Sequence, residues 1–239
     1  MAPFPSLTLY RADGACSRVP HILLSELGAP FTEVVMGIDT TVNGLVPKDG
    51  SMTREEYLSN VHPEGMVPAL QVDGAVIVEM TGVLTYIAAL AEEHGRRGWL
   101  PSDILLRAKA YEWISWLSGT LHSQAFTALW RPGKFSDDET AHAGIQAKAR
   151  SMTEGYYERI EARLATNEAS GGKRGHAVGS EFTVVDVLVY LFWRWAKHVD
   201  LEEGMVERWP RFAEVARQVE GLDSTKVAMQ VEQQGLWFS

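Results

Sequence analysis

The pattern of apolar residues changes once along this chain, at about residue 95, and that change constrains the fold more than any other feature. Before it, short runs rich in β-branched residues are separated by Gly and Pro. After it, apolar residues recur at the three- and four-residue spacing typical of helices. We therefore predict an α/β domain over residues 1–95 and an all-helical domain over residues 103–239.

The first domain opens with a strand–helix–strand pattern. Residues 6–10 alternate polar and apolar, a helical face precedes Gly28, and residues 31–36 form a second strand candidate. This spacing predicts two parallel strands. Asp73-Gly74 between two apolar runs predicts a hairpin, and thus a mixed four-stranded sheet. The polar residues 37–60 are interpreted as a long loop with at most one helical turn.

Helix-start signals divide the second domain. Ser102 or Asp103 is a candidate cap for a long helix that ends near Trp130. Ser136 followed by Glu139 has the spacing of a capping box, a pattern that begins helices. Residues 182–195 are apolar nearly all round, which predicts a helix at the centre of a bundle. Thr183 and Asp186 form a capping box before that helix, and we assign them to folding.

Composition excludes several classes of function. The net charge is −9, from 22 Lys plus Arg and 31 Asp plus Glu, and no basic run is present, which argues against a nucleic-acid partner. No apolar stretch approaches the ~20 residues of a membrane span, and the N-terminus lacks the pattern of a signal peptide. The single Cys16 excludes an intrachain disulfide and a cysteine-based zinc site. We expect a cytoplasmic protein without a metal.

Cys16 is the first residue that carries chemistry. It follows Gly14-Ala15 at the predicted start of a helix, where the backbone favours a thiolate or a bound carboxylate. A lone cysteine is, however, more often a small buried apolar residue. Position alone leaves both interpretations open.

Pro68 and Glu79 flank the predicted hairpin. Pro68 opens a strand after a glycine-containing loop and is a candidate cis-proline, although trans is the commoner state. Glu79 ends the next strand, where its carboxylate can accept a hydrogen bond from a ligand amine. The free N–H groups of Met80 and Thr81 can hold a ligand carboxylate. The alternative is an acid that simply favours a helix start.

His122 lies in the long predicted helix, seven residues after Ser115. Two helical turns separate them, so an α-helix places both on one face. A histidine there can donate a hydrogen bond to an anion or hold a thiolate. A packed histidine without a site role is the alternative.

The motifs occur in an order that resembles the cytosolic glutathione transferases over nearly the full chain, in particular the bacterial Beta class and its fungal relatives. They are Gly-Ala-Cys-Ser at 14–17 with Pro-His at 20–21, Pro-Glu-Gly-Met-Val-Pro-Ala-Leu at 63–70, Glu-Trp-Ile-Ser at 112–115 with Leu-His at 121–122, and Gly179 with Phe-Thr-Val-Val-Asp at 182–186.

The resemblance implies a thioredoxin-like N-terminal domain, an all-α C-terminal bundle and a two-fold homodimer. Glutathione would be the co-substrate and a small, apolar electrophile the second substrate. By the resemblance Pro68 is cis, Val67 pairs with the cysteinyl backbone, and Glu79 meets the γ-glutamyl end. Cys16 or Ser17 would lie near the glutathione sulfur, and Tyr10 is a weaker third candidate for the thiol.

The same resemblance assigns His122 to the site from the second domain and places Ser115 where the family has an asparagine. Two departures stand out. Met80 follows Glu79 where the family usually has a serine, and one lost charge-assisted bond costs about 1.5–3 kcal/mol. The family also has a basic residue that binds the glycine carboxylate, and Lys48 is the only lysine in the corresponding residues 37–60.

Three functional hypotheses follow. The first is a transferase that activates the glutathione thiol for attack on an electrophile, or in which Cys16 forms a mixed disulfide with glutathione. The second is an isomerase or lyase of a specialised pathway that makes little or no use of glutathione, because of Met80. The third is a non-catalytic protein that binds apolar ligands.

Overall fold

A computed structural model describes residues 3–42, 44–96 and 98–238. The chain forms two compact units, one of Met1–Trp99 with Glu220–Ser239, and one of Leu100–Val219. The division differs at one end from the predicted 1–95 and 103–239, because the final helix packs in the first unit, against the first helix of the chain.

The first unit is built on one mixed sheet. In the described part of the chain it has five strands: β1 (Leu7–Arg11), β2 (Thr32–Asp39), β3 (Gly44–Pro47), β4 (Ala69–Val72) and β5 (Ala75–Val78). Their order is β3-β2-β1-β4-β5, with β1 and β2 parallel and the other neighbours antiparallel. The parallel pair and the hairpin are confirmed, whereas the prediction of four strands is wrong.

The fifth strand comes from residues 37–60, which are not a long loop. β2 runs on to Asp39 and pairs with β3, with Met36 opposite Pro47. Helix α2 (Arg54–Asn60) follows, and a capping box of Thr53 and Glu56 begins it. The short apolar run at Leu45 and this capping box are the signals that the sequence interpretation missed.

Two longer helices complete the N-terminal part of this unit. Helix α1 (Arg18–Leu27) ends at Gly28, whose φ of 71° is the left-handed cap expected of glycine there. Helix α3 (Met80–Glu93) begins directly after β5. Helix α10 (Asp223–Val231) is the C-terminal helix that packs on α1.

The second unit is helical throughout its described length. Its main elements are α4 (Ile104–Trp116), a π-helical segment (Leu117–Phe126), α5 (Thr127–Trp130), α6 (His142–Ala169), α7 (Val184–Trp195), α8 (Met205–Arg208) and α9 (Pro210–Gly221), the last of which ends in the first unit. Short 3₁₀ turns cover Pro132–Lys134, Glu139–Ala141 and Ala196–His198.

The predicted helix signals of this unit have mixed outcomes. Asp103 caps α4 by accepting a hydrogen bond from the Leu106 N–H, and the helical run ends at Trp130 as expected. Every residue of α7 is buried, and its capping box of Thr183 and Asp186 forms. The capping box predicted at Ser136 is wrong, because Asp138 caps the short turn there instead. Among the described residues, no helix combines the length and apolarity needed to cross a bilayer.

Candidate functional site

One edge of the five-stranded sheet collects the candidates of the first unit. Ala69, the first residue of β4, pairs with Tyr10 of β1 on one side and with Val78 of β5 on the other. The chain just before β4, the chain after β1 and the chain after β5 therefore lie at the same edge. Those three stretches carry Val67, Cys16 and Glu79.

Cys16 contacts the loop that precedes β4. Its Sγ lies 3.1 Å from the Val67 carbonyl oxygen, and the side chain is 8% exposed. The contact is a hydrogen bond that the neutral thiol can donate and a thiolate cannot. It joins the predicted thiol to the residue predicted to bind the cysteinyl backbone. The Val67–Pro68 peptide is cis, as the family resemblance implied.

Ser17 has a different place from its neighbour. The residue is fully buried, and its hydroxyl accepts a hydrogen bond from the Ala12 N–H at 3.0 Å and donates to the Ala12 carbonyl at 3.3 Å. Its single proton is therefore committed to the loop between β1 and α1. Tyr10 is buried in the core beside Tyr57, and burial raises its pKa.

Two residues that the sequence interpretation missed shape the Val67 loop. The Tyr57 hydroxyl donates to the Met66 carbonyl at 2.6 Å, and Tyr57 is completely buried. Arg54 donates to the carbonyls of Leu45 and Gly65 at 3.1 and 3.2 Å. Gly65 has a φ of 61°, and a Cβ on it would displace the Arg54 guanidinium from these carbonyls. Both side chains come from α2, whose capping box was the available signal.

Glu79 caps α3 in an unusual backbone conformation. Its φ is 66°, a left-handed value that costs about 1–3 kcal/mol in a residue other than glycine. Its side chain is exposed and makes no capping hydrogen bond, so side chains leave the first-turn N–H groups of α3 uncapped. The exposed carboxylate and the uncapped helix start together suit a ligand that carries both an ammonium and a carboxylate group.

Met80 and Thr81 contribute differently to that helix start. The Met80 side chain is buried, 7% exposed, so only its backbone N–H is available to a ligand. Thr81 is half-buried and carries the one hydroxyl of the first two helical residues. The structure thus gives Met80 a packing role for its side chain and leaves Thr81 as the candidate hydroxyl donor.

His62 supports the turn that leads into the Val67 loop. It is buried, and its Nδ1 accepts a hydrogen bond from the Glu64 N–H at 3.2 Å while its carbonyl accepts from Gly65 at 2.8 Å. Burial lowers the pKa of His62, and the nearby carboxylates of Glu79 and Glu64 oppose that shift. The neutral ring is the form that can accept at Nδ1.

Lys48 is held by a carboxylate of the chain. Its Nζ lies 2.8 Å from Asp13, which also pairs with Arg11 at 2.5 Å. Burial raises the pKa of Asp13, but the hydrogen bonds and charges of Lys48 and Arg11 outweigh it and lower that pKa. Lys48 remains half exposed, so its ammonium can still meet a second carboxylate.

His122 belongs to an aromatic cluster of the second unit. Its ring lies 5.1 Å from that of Trp195 and 6.5 Å from that of Phe192, and Phe126 and Trp130 also pack on Trp195. Burial, aided by the charge of Arg131, lowers the pKa of His122 to about 4. His122 is therefore neutral near pH 7 and can donate a hydrogen bond, but it brings no positive charge to a thiolate.

Ser115 and His122 do not share a face in the way we predicted. The π-helical segment intervenes, and its carbonyls accept from five residues on rather than four. Residues seven apart consequently lose the alignment that an α-helix gives them. Ser115 is exposed, whereas His122 is packed among the rings.

Comparison with known proteins places this geometry in a family. The model of the glutathione S-transferase N-terminal domain matches residues 14–90, the stretch that contains Cys16, Val67 and Glu79. Glutathione S-transferase GstA of Escherichia coli O157:H7 is 30% identical over 203 residues, which cover 83% of this chain and 87% of that protein.

Solved structures agree with that match. The bacterial beta class glutathione S-transferase of Sphingomonas chungbukensis is 28% identical with a TM-score of 0.73, over 96% of this chain and 100% of that one. A sphingomonad glutathione S-transferase, solved in complex with glutathione, is 26% identical with a TM-score of 0.73, over 95% and 100%. The thioredoxin-like first unit and the helical second unit, with these matches along most of their length, show that this chain belongs to the cytosolic glutathione transferase family.

Proposed function

We propose that this protein binds glutathione at the sheet edge of its first unit and transfers the glutathione thiol to a small, apolar electrophile. The observation that carries the proposal is the strand register, which brings Val67, Cys16 and Glu79 to one edge. Those groups match the three parts of glutathione: an extended backbone, a thiol and a γ-glutamyl end.

The fit can be followed from group to group. Among the described residues the Val67 N–H has no hydrogen-bond acceptor, so it is available to the cysteinyl backbone of the peptide. Glu79 accepts from the γ-glutamyl ammonium, and the N–H groups of Met80 and Thr81 bind the γ-glutamyl carboxylate at the helix start. The Thr81 hydroxyl donates to the γ-glutamyl carboxylate in place of the family serine, whose position Met80 occupies. Lys48 is the candidate partner for the glycine carboxylate.

The chemical step requires a glutathione thiolate. The start of α1 favours the anion, the proton leaves to solvent, and the sulfur forms a bond to the electrophilic carbon as its leaving group departs with the electron pair. We assign Cys16 to the position next to the glutathione sulfur. Ser17 instead stabilises the fold of the same segment. In the second form of the chemistry, the Cys16 thiolate attacks a glutathione disulfide, forms a mixed disulfide and releases a glutathione thiolate.

The remaining assignments belong to the same proposal. We infer a homodimer in the cytoplasm, with no nucleic-acid or membrane partner. His122 acts as a neutral hydrogen-bond donor, and Ser115, being exposed, has no supported contact with it. The aromatic surface of Trp130 selects the electrophile, because flat apolar rings pack well on aromatic side chains.

Calorimetric titration with reduced glutathione tests the proposal. We expect a dissociation constant in the micromolar to low millimolar range for the wild type, and a weaker one for Thr81→Val, which removes the candidate hydroxyl at nearly constant shape. Cys16→Ser then separates the two chemistries, since it abolishes mixed-disulfide formation while leaving glutathione binding. Absence of heat and of a thermal shift with glutathione would overturn the proposal.

The alternative function is an isomerase or lyase with little use for glutathione. One observation favours it: the buried Met80 removes a hydroxyl from the carboxylate-binding helix start. Met80→Ser discriminates the two. A gain in glutathione affinity from an already measurable value supports the transferase, whereas binding that only appears in the variant supports the alternative.

A further inference from the structure

A buried carboxylate from the C-terminal end of the chain lies beneath the segment that carries Cys16. Glu232 follows α10 as its C-cap, and its side chain has no solvent exposure. A buried carboxylate destabilises the fold unless it is fully paired, so the partners of Glu232 indicate its role.

The partners of Glu232 flank the cysteine on both sides. The Gly14 N–H donates to Glu232 Oε2 at 2.9 Å, and Arg18 Nε donates to the same oxygen at 2.9 Å. His21 Nδ1 lies 3.2 Å from Oε1. Gly14 stands two residues before Cys16 and Arg18 two residues after it, so one carboxylate fixes both ends of a five-residue segment.

We infer that Glu232 is a positioning residue for the thiol segment, residues 14–18, and so couples the docking of the C-terminal helix to the geometry of Cys16. The inference rests on the proposed function only in that Cys16 is taken as the thiol-side residue. Glu232 acts on Cys16 through its hydrogen bonds with Gly14 and Arg18.

The surrounding charges keep Glu232 ionised. Burial would raise its pKa, but the hydrogen bond with His21, the charge of Arg18 and the Gly14 N–H outweigh burial and lower that pKa. His21 Nε2 also lies 3.9 Å from Glu33 of β2, which pairs with Arg11. The groups hydrogen-bonded to Glu232 are a backbone N–H, a guanidinium and an imidazole.

Glu232→Gln is the decisive variant, because it keeps the shape and removes the charge. Ser224→Ala is the matched control: Ser224 of α10 donates to Glu26 of α1 at 2.7 Å, so the control breaks another contact between the same two helices away from Cys16. Arg18→Lys is the second variant, which keeps the positive charge and loses the Nε contact.

The measurement is the rate of Cys16 alkylation by iodoacetamide as a function of pH. For Glu232→Gln we expect the midpoint of the profile to move down by roughly half a unit to one unit, since the negative charge that pairs with Arg18 is lost while Arg18 stays. We also expect a severalfold faster plateau in Glu232→Gln and in Arg18→Lys, because the segment is less firmly held. The Arg18→Lys midpoint stays close to that of the wild type.

The control decides what the shift means. Ser224→Ala is expected to keep the wild-type midpoint and plateau even where its melting temperature falls. A wild-type profile in Glu232→Gln, or the same change in Ser224→Ala, would overturn the inference. If Glu232→Gln does not fold, a wild-type plateau in Arg18→Lys overturns it instead. Glutathione titration of the same proteins is a separate arm, so a wild type that binds no glutathione defeats the proposed function without deciding this question.

Discussion

Two histidines, the buried His62 of the first unit and the half-buried His122 of the second, show how differently the two halves of this protein are built. Burial lowers the pKa of both His62 and His122. Carboxylates oppose the shift at His62, whereas Arg131 adds to the shift at His122. His62 supports a turn near the carboxylates of Glu79 and Glu64, and His122 packs against Trp195 and Phe192.

The same contrast holds for the other candidate groups of each unit. The sheet edge of the first unit combines a thiol, an exposed carboxylate, an uncapped helix start and an ionised buried carboxylate. The described aromatic cluster of the second unit offers rings and a neutral imidazole. This contrast supports our proposal that the first unit recognises a charged peptide and that the second unit contacts an apolar partner. Four measurements can sharpen or break this division.

The largest expected effect is on stability in the first unit. Glu232→Ala should lower the free energy of unfolding by about 3–5 kcal/mol at pH 7, because it leaves Arg18 buried without its carboxylate. Since the folded-state pKa of Glu232 is lowered, its contribution is present above pH ~4.5 and is lost as pH falls through the folded pKa. Urea unfolding at several pH values measures the loss of unfolding free energy and its pH dependence. A loss no larger than that of Ser224→Ala would contradict the buried charge pairing.

The second effect is the pH dependence contributed by the second unit. The folded pKa of His122, about 4, lies below its unfolded value near 6.5, so its contribution to stability is retained above pH ~6.5 and falls as pH drops toward 4. The total loss is at most about 3 kcal/mol. His122→Gln should flatten the curve in this range. His62→Asn, which keeps an acceptor for the Glu64 N–H, should flatten it less, because carboxylates already offset burial there. Equal flattening by the His122 and His62 variants would contradict the proposed difference between the two units.

The third effect is on glutathione affinity. Glu79→Gln should raise the dissociation constant roughly ten- to hundredfold, since a hydrogen bond to a charged group is lost. Glu64→Gln, an exposed carboxylate change nearby, is the control and should leave the constant unchanged. Calorimetric titration measures both. A similar loss in the two variants would mean that the general negative charge of this surface matters, and not the position of Glu79.

The smallest effect concerns the electrophile. Trp130→Ala should lower kcat/KM for aromatic electrophiles by up to roughly tenfold, because an aromatic contact is worth about 0.5–1.5 kcal/mol. The glutathione dissociation constant should stay the same. Phe135→Ala, another exposed aromatic residue of the same unit, is the control. Steady-state kinetics with a panel of electrophiles measures kcat/KM for both variants. A change in the glutathione affinity of Trp130→Ala would contradict the division between the units.

Much of the fold could be predicted from local patterns. The strand–helix–strand start, the Asp73-Gly74 hairpin, the Gly28 cap and the capping box at Thr183 each depend on residues close in sequence, and all four are confirmed. The cis peptide at Pro68 was predicted from the family resemblance, since local context alone left trans as the commoner state. The fifth strand was missed because residues 37–60 have a weak apolar pattern.

The candidate site residues were chosen from sequence motifs and remain predictions. Cys16, Val67 and Glu79 stand next to predicted strand ends and helix starts, and the family resemblance grouped them as candidates, but the strand register of the folded sheet brought them to one edge. The sequence by itself did not determine that Ser17 turns its hydroxyl to Ala12, that a π-helical segment breaks the alignment of Ser115 with His122, or that Tyr57 and Arg54 hold the Val67 loop.

Tertiary structure alone decided the remaining points, and the reason is physical. Short-range patterns record backbone propensity and the period of apolar residues, which the local chain controls. The pairing of Glu232 with Gly14 and Arg18 joins residues more than two hundred positions apart. The strength of this pairing depends on the complete burial of the Glu232 carboxylate. Burial is produced by the packing of helices that are distant in sequence, so no local segment can encode it.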